Sequence, residues 1–134
     1  MAEKFPSIIN RLQCKDLLES RALIGADWVT SDQSEASFDV LNPSNQMRLA
    51  TLPDLGRKEA TEAIAAAEIA QVSWAKLSGK DRSLVLKRWY DLMVTHADDL
   101  AVILTAEMGK PWAEAKGEIL YGASYIEWFA EEAK

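Results

Sequence analysis

The spacing of apolar residues changes once along this chain, near Pro53, from short runs broken by turn residues to a rhythm of threes and fours that continues to the end. That change divides the sequence into a β part and a helical part. In the β part, Ala22-Leu23-Ile24 and Trp28-Val29-Thr30 flank Gly25, Ala26 and Asp27. Two short apolar runs around a turn containing Gly and Asp predict a hairpin. Ser31 to Glu35 is polar and reads as a loop, and Phe38 to Leu41 as another short strand. Asn42-Pro43-Ser44-Asn45 predicts a turn, because proline fixes φ and asparagine tolerates turn conformations. Met47 to Leu52 returns as a strand that stops at Pro53. The expectation is a small antiparallel β meander over residues 21–53.

The helical part spans 57–134. Arg57 to Ala75 carries Ala60, Ala63, Ile64, Ala67, Ala70 and Trp74 at helical spacing, an alanine-rich face suited to close packing. Ser78 and Asp81 resemble a capping box, with Asp in the place of the usual Glu. The helix they open holds Val85, Trp89, Leu92 and Met93 as its expected core face. A break near His96 precedes a third helix with Leu100, Ile103 and Leu104. Gly109, followed by Lys110 and Pro111, predicts its end, since Gly supplies a left-handed cap and Pro does not continue a helix. A fourth helix runs from about Trp112 onward, with Ile119, Tyr125, Ile126 and Phe129 on its faces and Phe129 as a core position. Residues 1–20 read as a leader, with a short helix from Ser7 to Ser20 on Ile8, Ile9, Leu12, Leu17 and Leu18. The last helix reaches Lys134 without a cap, which suggests a chain cut from a longer one; fraying at a natural terminus is the alternative.

The totals narrow the function. A chain of 134 residues, 49% hydrophobic and 27% charged, is a soluble globular domain with a modest core. Its net charge of −6, without a Lys/Arg stripe, makes nucleic acid a poor partner. The single cysteine, Cys14, excludes an internal disulfide and fits a reducing cytoplasm. Met1 to Arg11 lacks the apolar run of a signal peptide, and no stretch is apolar for long enough to span a membrane.

The residues also limit the chemistry. One His and one Cys do not make a zinc site. Cys14 and His96 could form a nucleophile–base pair, but an inert thiol and a histidine at a helix junction explain them more simply. Asp98 and Asp99 beside His96 fit an exposed helix start, where carboxylates favour the positive end. Glu114, Glu118, Glu127, Glu131 and Glu132 read as a solvated helix face. Five tryptophans are many, and Trp74 and Trp89 fall where helix core is expected. Taken alone, these residues describe a helix-rich domain with a β layer and no catalytic set.

Several stretches, in this order and spacing, resemble the amino-terminal part of the NAD(P)-dependent aldehyde dehydrogenase superfamily. They are Ala22 to Trp28, Val40-Leu41-Asn42-Pro43, the alanine helix ending at Trp74, Arg82 to Leu92, Leu100 to Pro111 with E-M-G-K-P, and Glu114 to Lys134. The last stretch looks closest to succinate-semialdehyde dehydrogenases. The resemblance implies an α/β fold of aldehyde dehydrogenase type whose core Rossmann-like sheet is absent from these residues, so that 21–134 is the front of its cofactor domain. It implies oxidation of succinate semialdehyde to succinate with NAD or NADP in the parent enzyme. There a cysteine attacks the aldehyde, a glutamate activates water, and an asparagine and a backbone N–H hold the oxyanion. The motifs P-W-N, L-E-L-G-G-K and G-Q-x-C that carry those residues do not occur here, and Cys14 does not match the nucleophile. No residue is therefore assigned as catalytic or cofactor-binding, and the segment alone is expected to be inactive.

A few positions do carry over. Gly117 and Tyr121 match tunnel-facing positions of the family, with Tyr125 one turn further; ordinary packing is the alternative. Glu107 matches an acidic position that, in some members, helps hold a structural monovalent cation with backbone carbonyls near Val40 and Leu41; a solvated Glu107 is the alternative. The partners implied are a small-molecule aldehyde and further copies of the chain, through apolar faces such as the one ending at Trp74. The other reading is a stand-alone interaction module that pairs with a full-length relative or with itself.

Overall fold

A computed structural model describes residues 9–134. Strands β1 (Ala22–Ile24) and β2 (Asp27–Val29) form an antiparallel hairpin that pairs Leu23 with Trp28. The turn is shorter by one residue than expected. Only Gly25 and Ala26 connect the strands, and Asp27 already pairs with Ile24. Gly25 takes φ +62°, the positive value that a two-residue loop needs to match the strand twist.

Strands β3 (Ser37–Leu41) and β4 (Arg48–Pro53) form a second hairpin, with an irregularity between Val40 and Leu41. The turn between them is tied by its own asparagines. Asn42 Oδ1 accepts from Ser44 N at 2.9 Å, and Asn45 Oδ1 from Met47 N at 3.0 Å. The β layer is thus two separate two-stranded sheets and not a continuous meander. The polar segment between β2 and β3 closes on itself instead of leading one strand to the next. Gln33 accepts from both the N–H and the hydroxyl of Thr30, and Ser34 donates to the carbonyls of Ser31 and Ala36.

Four helices follow: α1 (Arg57–Trp74), α2 (Gly79–Thr95), α3 (Ala97–Met108) and α4 (Trp112–Glu132). Their ends follow local chemistry. Glu59 reaches back to the Gly56 N–H at 2.9 Å, one half of a capping box. At α2, Ser78 Oγ accepts from Asp81 N at 3.1 Å and donates to Asp81 Oδ2 at 2.6 Å. The short Asp side chain thus takes the cap hydroxyl. His96 both ends α2 and begins α3. Gly109 closes α3 at φ +80°, with its N–H on the Thr105 carbonyl. A Cβ there would stand 3.0 Å from Pro43, so the α3–α4 corner lies against the β3–β4 turn.

The expected leader helix does not form. Among the described residues this stretch holds two single 3-10 turns, Ile9–Arg11 and Lys15–Leu17; Ser7 and Ile8 lie outside them. The reason is a distant carboxylate. Asp99 Oδ1 accepts from Gln13 N at 3.0 Å and Oδ2 from Cys14 N at 2.8 Å, so these N–H groups leave the local helix pattern.

The packed unit is α2–α3–α4. Its buried side chains are small: Ser83, Ala97, Asp99, Ala101, Ala115, Ala123 and Ala130. Ala115, Ala123 and Ala130 recur along one stripe of α4, with Ile119 and Ile126 half-buried between them. Salt bridges Lys116–Asp98 (2.6 Å) and Lys87–Glu131 (2.8 Å) join α4 to α3 and α2. Large apolar residues lie mostly outside. Val85, Trp89 and Leu92, expected as core, are exposed, and only Met93 is half-buried. Phe129 is 58% exposed. The α1 helix buries no residue; Trp74 is half-buried, but Ile64, Ile69 and Val72 face solvent. The helices meet at small side chains, Ser83 and the alanines, and the bulkier ones lie off the contact. The surface of 9717 Å² exceeds the roughly 7000 Å² of a compact monomer of this mass.

Candidate functional site on the last helix and at the α3 terminus

Gly117, Tyr121 and Tyr125 lie on one stripe of α4, because residues four apart share a helix face. The Ala115–Ala123–Ala130 stripe turns inward, so this one turns out. All three residues are exposed, and a Cβ at Gly117 would meet nothing within 4 Å. None of them packs in the core of this chain. The two tyrosine rings meet edge to face, with centroids 5.1 Å apart and planes at 86°. Their hydroxyls are 2.6 Å apart. That hydrogen bond, and then desolvation, hold the Tyr125 hydroxyl above the ordinary phenol range. The pair can offer an aromatic wall and one free O–H donor.

Beside it runs a hollow of about 710 Å³ that includes Trp128 and Phe129. Every residue lining it belongs to α4, so it is the relief of a bare helix face and not an enclosed chamber. Its acids behave as a solvated face: Glu131 is held down to about 2 by Lys134 and then by Lys87. Glu118 pairs with Lys110, and Glu114, Glu127 and Glu132 are exposed. Among the described residues, no group of three His, Cys, Asp or Glu side chains is placed to hold a metal ion.

Glu107 sits at a small cavity of about 110 Å³ whose walls include Val40, Leu49 and Ile103. Desolvation pushes its carboxyl up from the usual range. Val40 lines this cavity and Leu41 does not. The β3–β4 ladder is irregular between those two residues: Val40 pairs with Ala50 and Leu41 with Arg48, so the extra residue is Leu49 on β4. Glu107 is nevertheless exposed on one side, so its carboxylate is open both to this cavity and to solvent.

No hydrogen bond joins Cys14 to His96 among the described residues. The Cys14 N–H bonds to Asp99, and His96 serves as the α2–α3 junction. Asp98 is exposed as expected, but Asp99 is buried and ties the leader to α3. Sequence reasoning missed this contact, which spans more than eighty residues and leaves no local pattern. Among the described residues the strands pair only antiparallel, and no glycine-rich turn leads from a strand into a helix. No helix among them is long and apolar enough to cross a membrane.

The chain is similar to known proteins over nearly its whole length. Residues 28–134 match the aldehyde dehydrogenase family. Succinate-semialdehyde dehydrogenase [NADP(+)] of Escherichia coli (strain K12) is 47% identical over 124 residues, covering 92% of this chain and 26% of that protein. A glutarate-semialdehyde dehydrogenase of Pseudomonas putida is 46% identical over 125 residues, covering 92% and 26%. The crystal structure of succinate-semialdehyde dehydrogenase from Burkholderia pseudomallei superposes with a TM-score of 0.85 at 47% identity, covering 90% of this chain and 25% of that one. The chain thus spans about a quarter of the length of the relatives it matches. With the segment order, the helix ends and the superposition in agreement, the chain belongs to the aldehyde dehydrogenase family.

Proposed function

We propose that this chain forms the amino-terminal part of an NAD(P)-dependent aldehyde dehydrogenase that oxidises succinate semialdehyde to succinate. The observation that carries this reading is 47% identity to the E. coli NADP enzyme over nearly the whole chain. Within that enzyme the Gly117–Tyr121–Tyr125 stripe lines the substrate tunnel, supported by its exposure and by the open space at Gly117. Glu107, with the carbonyls of Val40 and Leu41, holds a structural monovalent cation, supported by the cavity it shares with Val40. Chemistry and cofactor binding belong to other parts of the parent enzyme, and the 134 residues alone are inactive. Cys14 is free, in keeping with a reducing compartment such as the cytoplasm.

The test is a chimera in which this chain replaces the matching segment of the E. coli enzyme. NADPH should form with succinate semialdehyde, and the isolated chain should form none. Tyr121→Ala in the chimera should change the kinetic constants for the aldehyde and shift stability by less than about 1 kcal/mol. Gly117→Trp should raise the Michaelis constant or abolish turnover without unfolding. A folded chimera that binds NADP yet turns over no semialdehyde overturns the proposal.

The exposed apolar faces also favour a second reading, a module that pairs with a relative or with itself. Restored turnover when the isolated chain is mixed with a relative lacking this segment would support it.

A further inference from the structure

Away from the α4 stripe lies a cavity of about 410 Å³, between the leader, the β3–β4 turn and the C-terminal half of α3. Its size falls within the range of small-molecule sites. Its lining has an apolar floor, including Leu49 and Val102, and polar residues that include Arg11, Asn42, Asn45 and Thr105.

Each of those polar groups can present a hydrogen-bond donor. The Asn42 and Asn45 side-chain oxygens are occupied by the N–H groups of Ser44 and Met47, so the turn fixes which end of each amide is oxygen. Their NH₂ groups remain as donors. Arg11 makes no salt bridge among the described residues and brings a guanidinium with fixed donors. The Thr105 hydroxyl is buried without a hydrogen-bond partner among the described residues. In a helix threonine has two accessible rotamers, and a turn about χ1 would present this hydroxyl to a ligand. Among the described residues, no Asp or Glu lines the cavity. The negative end of α3 and the positive end of α4, which begins at Trp112, both reach it and offset one another. Among the described lining residues, the one formal charge is that of Arg11.

We propose that this cavity binds a small organic carboxylate, its anionic group on Arg11 and the two asparagine amides and its carbon skeleton on the Leu49–Val102 floor. The site is separate from the Tyr121–Tyr125 stripe, and the inference does not depend on the activity proposed above. The floor distinguishes the ligand from an inorganic oxyanion, which has no apolar part to bury.

The test is a titration of the 134-residue chain, followed by amide chemical shifts, with succinate, inorganic phosphate and chloride at matched ionic strength. Succinate should saturate, and the shifts should centre on Asn42–Met47 and Val102–Gly109. Arg11→Ala should weaken binding at least about tenfold, as expected for loss of a charge-assisted contact. Thr105→Val, of nearly equal shape, should weaken it by a smaller factor while leaving the remaining spectrum in place. Leu49→Ala should weaken succinate more than phosphate. Shifts that do not saturate, that centre on another part of the chain, or that phosphate reproduces with equal affinity overturn the proposal. So does unchanged affinity in Arg11→Ala.

Discussion

The inside and the outside of the α2–α3–α4 unit differ in side-chain size, in the direction opposite to that of most domains. Ala101, Ala115, Ala123 and Ala130 have no exposed surface, while Tyr121, Trp128 and Phe129 stand out from the same unit. A domain that folds for itself hides its large apolar residues first. Here alanines form the seam and the bulk faces away. The difference teaches that the helices are held by close approach, and that the large side chains are left free for contact with other protein. A longer aldehyde dehydrogenase fold, as proposed above, would supply that contact.

The comparison breaks most directly at the seam. Ala123→Phe should destabilise the chain by the upper part of the ~1–3 kcal/mol typical of overpacking, or more. Thermal or urea unfolding would measure it. An unchanged midpoint would mean that α4 can drift from its neighbours and that the seam is not packed.

Next comes the buried carboxylate. Asp99→Ala leaves the Gln13 and Cys14 N–H groups without their acceptor and should cost about 1.5–3 kcal/mol. Hydrogen exchange should then quicken at Gln13 and Cys14 while α4 keeps its protection. Equal loss in both places would show that the leader is part of one cooperative unit with the seam.

The outer face should respond weakly in stability and strongly in association. Phe129→Ala should alter the unfolding free energy of this chain by less than about 1 kcal/mol, because the ring is mostly exposed. Wild-type chain should self-associate or bind a hydrophobic dye, and Trp128→Ser with Phe129→Ser should reduce both. A dye-silent monomer at every concentration would remove the contrast between the two faces.

The smallest effect is ionic. Glu131 titrates at about 2, below its ordinary 4.5, so its ties to Lys134 and Lys87 are complete above 4.5 and fade as pH falls toward 2. Glu131→Gln should remove that dependence, as read from the Lys87 side-chain resonances across an acid titration. A Lys87 signal that ignores pH in this window would show the tie to be unformed in solution.

Much of this fold was legible where chemistry is local. Ser78 with Asp81, and Gly109 with Lys110 and Pro111, marked helix ends that the structure places within a residue. The hairpins were legible from Gly25 and from Asn42-Pro43, though the first turn is tighter than expected because Asp27 pairs with Ile24. The inward face of each helix was not legible. The rule that large apolar residues go inside pointed to Val85, Trp89, Leu92 and Phe129, and packing chose Ser83 and the alanines. The α4 stripe was legible from spacing, its tyrosine hydroxyl contact only from coordinates. Asp99 was missed because its partners are close in space and far along the chain.

That separation also orders events in time. The β3–β4 hairpin closes over the six residues between Leu41 and Arg48, whereas the Asp99 tie to Cys14 closes a loop 85 residues long. Loop-closure entropy makes the longer closure costlier by about 2 kcal/mol. The tie also has its acceptor in place only once α3 has formed. The leader should therefore dock last as the chain folds and leave first as it unfolds, and Arg11, which lies just ahead of the anchored residues, should dock and leave with it.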